Sequence, residues 1–321
     1  MPKSDTGDIA LSIIICTRNR AAILQETLTA LENVSGPAGL PTEVIVVDNG
    51  STDDTAAVVR AARHRTIPIQ YLCEPRPGQV QARNAGIAHA RGEIIQFTDD
   101  DIRPPADWLD AMAAPLLAGM ADAVGGGITM ASHLKRPWMT AYHYSLMAST
   151  EYLDRTTKCL IGANFAFRRS VLEKVPAFDV ELGPGALGQC DDSLFALQVE
   201  AAGLTIQPLL DNTVEHHFEP SRLTRESFLN RVRNEGRSEA YVMYHWSHED
   251  FPTYPRYVAI LYRDLLRWRL KNWRHYRGEG IHSDEMFLVK QLHRYKHLLL
   301  EKQRPRNYER RGLVKHGFTG T

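Results

Sequence analysis

Three consecutive carboxylates, Asp99-Asp100-Asp101, follow the apolar run Glu93-Ile-Ile-Gln-Phe97. Adjacent carboxylates repel one another unless a cation neutralises them. Hard oxygen donors suit Mg2+ or Mn2+, ions that bridge protein carboxylates and a substrate diphosphate. A solvated acidic turn is the alternative. The position after a buried strand and before the break at Pro104-Pro105 weighs against it. Asp48 closes a second apolar run, Glu43-Val-Ile-Val-Val47. A carboxylate at such a strand end can accept hydrogen bonds from a base or ribose, although Asp48-Asn-Gly50 is equally good turn chemistry. Asp191-Asp192 opens a helical pattern behind a glycine-rich loop. A helix dipole keeps a carboxylate there ionised, which suits Asp192 as a general base with Asp191 as the N-cap. His216-His217 lies in the extended stretch Val214–Phe218. Neighbouring side chains on a strand point to opposite faces, so at most one of the two rings meets a site.

Two tempting matches are discounted. Gly183-Pro-Gly-Ala-Leu-Gly188 fits GxGxxG, but it does not follow the first strand of a βαβ unit and has Pro184 inside it. It reads as a loop near the site rather than a dinucleotide fingerprint. Gln291-Leu-His-Arg-Tyr295 resembles the QxxRW signature of processive polysaccharide synthases. Tyr stands for Trp, and no membrane helices accompany it, so it is read as chance.

These residues must be positioned by ordinary elements. Leu11–Cys16, Glu43–Val47, Ile69–Cys73 and Glu93–Phe97 are short, mostly β-branched runs, the pattern of strands buried on both faces. Helical patterns alternate with them: Arg20–Val34, a stretch from a capping box at Ser51 and Asp54 to about Arg63, Gln79–Ala90, and one after Pro105 through Leu117. This alternation implies a parallel sheet covered by helices. Ligands bind at the carboxyl ends of such strands, so chain order alone gathers Thr17, Asp48 and Asp99–Asp101 at one edge. The middle third predicts a turn at Gly125-Gly-Gly127, a helix in Trp138–Met147, strand Asn164–Phe167, helix Arg169–Lys174, helix Asp191–Ala202, and two strands, Thr205–Leu209 and Thr213–Phe218. From Thr224 onward the pattern is mostly helical.

Composition bounds the rest. The chain has 321 residues, 43% hydrophobic and 24% charged, which excludes wholesale disorder. Lys+Arg and Asp+Glu number 38 each, so it is neither a nucleic-acid coat nor a polyacidic buffer. Cys16, Cys73, Cys159 and Cys190 form no CxxC pair, which excludes a zinc ribbon and fits reduced thiols in a cytoplasm. No apolar run reaches membrane-spanning length, and Leu11–Cys16 is too short for a signal-peptide core. Charge is uneven: Arg256–His316 holds 16 Lys or Arg against 6 Asp or Glu. Within it, residues 256–277 mix Leu and Ile, Trp and Tyr, and Arg and Lys. The stretch reads either as a peripheral contact with anionic lipid or as a helix packed on the body with snorkelling arginines. Nucleic-acid binding is not expected, because no recognised motif accompanies the charge.

The ordered set of motifs resembles glycosyltransferase family 2, the inverting, GT-A-fold family. It comprises Ser12-Ile-Ile-Ile-Cys-Thr-Arg-Asn-Arg20, Val44-Ile-Val-Val-Asp-Asn-Gly-Ser-Thr-Asp53, Ala82-Arg-Asn-Ala-Gly86, Gly92-Glu-Ile-Ile-Gln-Phe-Thr-Asp-Asp-Asp101, Gly162-Ala-Asn-Phe-Ala-Phe-Arg-Arg169 and the acidic pair before a helix. The resemblance runs from Leu11 to about Arg222. It implies an α/β, Rossmann-like, mostly parallel sheet flanked by helices, with a GT-A catalytic domain over 1–222 and a helical, basic extension over 223–321.

The roles below are those the resemblance implies. Thr17, Arg18, Asp48 and Arg83 hold the nucleotide, with Asp99, Asp100 and Asp191 completing the nucleotide-sugar site. Asp101 and His216 bind Mn2+ or Mg2+, and Asp192 is the catalytic base. Asp191 replaces the usual Glu of the acidic pair. The activity implied is metal-dependent transfer, with inversion, from a nucleotide-diphosphate sugar, UDP-sugar favoured, to an acceptor hydroxyl on a glycan or lipid-linked acceptor. The expected place of work is the cytoplasm, peripheral to the inner membrane face. Two rivals are a sugar-phosphate nucleotidyltransferase and a non-catalytic sugar-nucleotide binder. The first wants a glycine-rich loop that Thr17-Arg-Asn-Arg20 lacks, and the second needs no base.

Overall fold

The structure is a computed structural model and describes residues 9–36, 39–64, 66–249, 255–273 and 279–318. Its first half alternates strand and helix: β1 (Leu11–Thr17), α1 (Ala21–Leu31), β2 (Thr42–Asp48), α2 (Thr55–Ala61), β3 (Ile69–Cys73), α3 (Gln79–His89) and β4 (Ile94–Asp99). Then come β5 (Ile102–Arg103), α4 (Trp108–Leu117), β6 (Ala123–Met130), α5 (Ala141–Leu146), β7 (Asn164–Arg168), α6 (Asp191–Ala201) and β8 (Ile206–His216). A C-terminal helical region closes the fold with α7 (Arg225–Tyr241), α8 (Pro255–Lys271) and α9 (Ser283–Glu301).

The strands form one mixed, mostly parallel sheet in the order β3-β2-β1-β4-β7-β6-β8-β5. β3, β2, β1 and β4 are mutually parallel, β7 runs against both β4 and β6, and β8 pairs parallel to β6. Period-two alternation splits β1 between two cores. Ile13 and Ile15 pack with Leu24 and Leu28 of α1 and Met112 of α4. Ile14 packs on the other face with Val80 of α3 and Phe195 of α6. That division is why the apolar runs are unbroken: both faces of the sheet are dry. The second core holds Phe97, Phe165, Phe167, Phe178 and Phe195, with ring centroids 5.1 Å apart for Phe97 and Phe165 and 4.4 Å for Phe178 and Phe195.

Several local expectations are corrected. Gly125-Gly-Gly127 is not a turn but the middle of β6. A Cβ on these residues would lie 1.8 Å from the Cys159 carbonyl oxygen, 2.2 Å from Asn164 Nδ2 and 2.4 Å from the Leu210 carbonyl oxygen, respectively. Close approach of neighbouring chain, not chain reversal, demands glycine there. The two strands expected over 205–218 are one strand, β8, whose register against β6 shifts between Gly126 and Gly127. Ser51 caps no helix: its hydroxyl accepts the Asn19 N–H at 2.8 Å, and α2 begins at Thr55. Asp53 instead accepts the N–H of Ala21, the first residue of α1, at 3.0 Å. The loops after β1 and β2 are thereby laced together. The short helix expected from Arg169 is a 3-10 helix over Arg169–Glu173.

In the C-terminal region, Phe228 and Val232 of α7 and Met286, Val289 and Leu292 of α9 share a core with Met130, Leu134 and Leu146. The last described segment returns to the body, where Tyr308 and Lys315 reach the Asp179 carboxylate at 2.7 and 2.6 Å.

Substituting Gly126→Ala should force Asn164 off its bonds to Gly127 and Trp108, at 2.9 and 2.8 Å. The expected cost is about 1–3 kcal/mol, read as a lower urea midpoint. An unchanged midpoint would show that β6 tolerates a side chain there.

Candidate active site

Parallel register sets the strand ends level: Thr17 pairs with Asp48, and Cys16 with Asp99. The chain then turns sharply through Asp100 and Asp101 into β5. This turn is clamped from both sides. The Thr27 hydroxyl of α1 donates to the Asp100 carbonyl at 2.6 Å, and the N–H of His217, just after β8, donates to the Asp101 carbonyl at 2.7 Å. The edge opens on a cleft of about 1260 Å³ that runs from Thr17 and Asp99–Asp101 to Asp191-Asp192 and on to α7.

Asp100 and Asp101 are 2% and 1% exposed, so their charge must be answered inside the protein. Thr17 donates to Asp100 Oδ2 at 2.6 Å. Arg20 forks between the two acids, with Nη1 on Asp100 and Nη2 on Asp101 at 2.6 Å. Arg222 adds Nη1 at 3.3 Å from Asp101 while stacking over Phe218. Burial pushes Asp100 up to about 7 against the pull of Arg20. Burial also pushes up Asp99, with Asp101 adding to the rise. Asp101 is as dry, yet the His216 ring in its protonated form, together with Arg20 and Arg222, holds it well below the usual carboxylate range.

His216 meets this cluster from β8. Its Nδ1 lies 3.0 Å from the Met147 carbonyl, which can only accept, so Nδ1 carries a proton, and when the ring is neutral Nε2 presents its lone pair. Nε2 lies 3.1 Å from Asp101 Oδ1, and neither buried atom has a hydrogen-bond partner. With Asp99, they offer three ligand atoms within 4.8 Å of one another. With the ring neutral, two lone pairs facing each other in a dry site are repulsive unless a proton or a metal cation lies between them, and a carboxylate–imidazole donor set fits a divalent ion.

At the other end, Asp191 is the first residue of α6 and not its cap. Cys190 takes the N-cap position in the left-handed region, without a side-chain bond. Asp191 instead forms a buried ion pair with Arg83, whose guanidinium lies 5.7 Å from the Phe178 ring. Burial pushes Asp191 up to about 6 against the pull of Arg83. Asp192 is half-buried and lines the cleft. Its Oδ2 accepts the Gly162 N–H at 3.0 Å and its Oδ1 accepts the Ser193 N–H at 2.7 Å. Gly162 is required, since a Cβ there would lie 1.9 Å from Arg83 Nη2.

Of the residues expected from sequence, Thr17, Arg18, Arg83, Asp99, Asp100, Asp101, Asp191, Asp192 and His216 all line this cleft. Asp48 stands at the same edge but not on the wall. Its oxygens accept the Ser51 N–H and the Tyr71 hydroxyl, both at 2.8 Å, and Asn49 faces the cleft instead. His217 turns away to Glu215 at 2.5 Å. The loop Gly183–Cys190 does border the cleft, through Pro184, Gly185 and Gly188. Arg294, within the discounted Gln291–Tyr295 match, is also on the wall, 3.5 Å from Glu239. Sequence reasoning missed the cations Arg20, Arg222 and Arg231. Arg20 was readable from its place just after β1. Arg231, on α7, bonds the Leu146 carbonyl at 3.0 Å, and burial with Arg222 nearby lowers it to about 9. No local pattern announces it.

Comparison with known proteins bears on the family and the fold. The family described as Glycosyl transferase family 2 matches residues 12–176. The glycosyltransferase AglE of Haloferax volcanii is 29% identical over 178 residues, 54% of this chain and 58% of AglE. Among solved structures, a mannosyltransferase from Pyrobaculum calidifontis in complex with GDP-Man and Mn2+ is 26% identical, with a TM-score of 0.56 over 73% of this chain and 65% of that one. S. aureus TarS 1-349 in complex with UDP-GlcNAc is 20% identical, with a TM-score of 0.52 over 73% of this chain and 67% of that one, a likeness of fold. The chain thus spans less than two thirds of AglE and of the mannosyltransferase.

Removing one partner of the buried Arg83–Asp191 pair should be costly. Arg83→Leu should lose about 3–5 kcal/mol of stability in urea, and adding Asp191→Leu should recover much of it. Asp191 carries a raised value, so its ionised form opposes folding and its contribution falls as pH rises from its ordinary 3.8 through about 6. The loss in Arg83→Leu should therefore shrink below that window. A loss that is equal at all pH would mean Asp191 does not need the cation.

Proposed function

The chain belongs to glycosyl transferase family 2, and we propose that it moves a hexose from a nucleotide-diphosphate donor onto an acceptor hydroxyl, with inversion. The observation that carries the reading is the pair of buried, partnerless atoms, Asp101 Oδ1 and His216 Nε2, in the same cleft as Asp192. Asp99, Asp101 and His216 would hold Mn2+ or Mg2+. That ion supplies charge neutralisation for the departing nucleoside diphosphate. The Mn2+ and GDP-Man held by the related mannosyltransferase support this assignment.

The chain's own residues supply the remainder. Asp192 takes the proton of the acceptor hydroxyl as that oxygen attacks the anomeric carbon. The new carbon–oxygen bond forms while the bond to the diphosphate oxygen breaks on the opposite face, which inverts the centre. The hydrogen bonds from Gly162 and Ser193 aim the Asp192 carboxylate. Arg20, Arg222 and Arg231 place positive charge where the leaving diphosphate gathers negative charge. Thr17, Arg18, Arg83, Asp99, Asp100 and Asp191 shape the donor half of the cleft. Asp48 acts from behind the wall through the Ser51 turn. The donor we favour is a UDP-sugar, and the acceptor is a glycan or a lipid-linked glycan. Residues 1–222 form the catalytic unit in this reading and 223–321 the extension. All four cysteines are unpaired, which supports work in a reducing cytoplasm. No described helix is long and apolar enough to cross a membrane.

A melting-temperature screen of UDP-, GDP- and dTDP-sugars with Mn2+ identifies the donor by its upward shift. With that donor, Asp192→Asn should lower kcat by about 10²–10⁴-fold and leave donor KM within a few-fold. Wild-type turnover in that variant would remove Asp192 from the chemistry. Chelation by EDTA should stop the release of nucleoside diphosphate, and Mn2+ or Mg2+ should restore it to the wild type but not to Asp101→Asn. Release of pyrophosphate instead would mean nucleotidyl rather than glycosyl transfer.

A further inference from the structure

Helix α8 has two faces of different chemistry. Leu265 is buried, and Val258 and Leu261 pack beside it against the α7–α9 core. Arg269 donates to the buried Glu285 of α9 at 2.8 Å. These contacts fix the rotation of the helix, so its outer rows are exposed by construction. One outer row is apolar: Tyr262, Leu266 and Leu270, four residues apart, are 49%, 58% and 68% exposed, and Trp273 follows at 52%. The adjacent row is basic: Arg263, Arg267 and Lys271, again four apart, are all exposed. Between Arg256 and Lys271 there are five bases and one acid, Asp264, in a chain whose formal net charge is zero.

We propose that α8 docks the protein on an anionic lipid surface. The apolar row enters the boundary between headgroups and acyl chains, and the basic row stays with the lipid phosphates. Trp273 has an amphipathic ring that favours that boundary, and the Tyr262 hydroxyl accepts from Lys296 Nζ of α9 at 3.1 Å. Charge selects this occupant over the alternatives. A second copy of the chain, meeting this face about a two-fold axis, would bring basic row against basic row. A nucleic acid would answer the bases but leave Leu266 and Leu270 in water. The proposal stands apart from the sugar-transfer reading, because no α8 residue takes part in that chemistry. Residues 274–277 of the basic stretch lie outside the described residues.

The test is co-sedimentation of the full chain with vesicles of phosphatidylcholine, with and without phosphatidylglycerol. Binding should need phosphatidylglycerol and weaken with salt. L266E/L270E should lower binding roughly tenfold or more, and R263Q/R267Q should lower it and flatten the salt dependence. Both variants should melt at the wild-type temperature, since all four positions are on the surface. Binding to neither vesicle, equal binding to both, or undiminished binding of L266E/L270E would overturn the proposal. So would a wild-type dimer in light scattering that L266E/L270E dissolves.

Discussion

Three successive carboxylates held at the dry end of a parallel sheet are what the rest of the cleft has to answer. Asp100 and Asp101 are almost wholly buried, and burial without compensation would drive both to the neutral form. The molecule compensates unequally. Asp100 shares Arg20 and Thr17 yet remains pushed up to about 7. Asp101 has Arg20, Arg222 and the His216 ring around it and is held far down. The acid kept most firmly ionised is thus the one whose Oδ1 faces His216 Nε2 at 3.1 Å. Asp99, Asp101 and His216 there offer three ligand atoms within 4.8 Å of one another.

Topology makes this arrangement possible. β4 ends level with β1, and the two-residue strand β5 carries the chain from the acidic turn onto β8, where Ile102 pairs with His216. That one pairing brings together residues more than a hundred positions apart. A hydrogen bond from His217 N–H then fixes the Asp101 backbone. The parallel half of the sheet was legible in the sequence because strands dry on both faces read as continuous apolar runs. The other half was not. β6 contains three successive glycines, and β8 contains Pro208 and the polar pair Asp211-Asn212. Turn-forming residues there serve close packing and a register shift, which periodicity cannot distinguish from loops.

The candidate site was legible to a similar depth. Acids that follow buried strands could be placed at the sheet edge by chain order alone, and His216 Nε2 lies 3.1 Å from Asp101 Oδ1. Their partners could not be placed so. Arg222 and Arg231 reach the cleft through tertiary packing of segments with no local signal. Asp191 looked like a cap because acids favour helix starts, but a buried Arg83 opposite it offered a stronger interaction than a free N–H. Asp48 shows the converse. Its position was right for a ligand contact, yet the Ser51 N–H and the Tyr71 hydroxyl already use both its oxygens.

The boundary proposed at residue 222 divides sequence pattern more than it divides the cleft. Arg231, Glu235 and Glu239 of α7 and Arg294 of α9 all stand on the wall, and Lys290 of α9 ties to Glu235 and Glu239 at 3.0 and 2.6 Å. The last described segment reaches back to Asp179, four residues before the loop that borders the cleft and ends at Asp191. A single helical layer therefore supplies polar side chains to the cleft on its inner side, while α8, packed against α9, carries the apolar and basic rows on its outer side. The α7, α8 and α9 helices share one core, so the face that lines the cleft and the face that carries the apolar and basic rows belong to one packed layer.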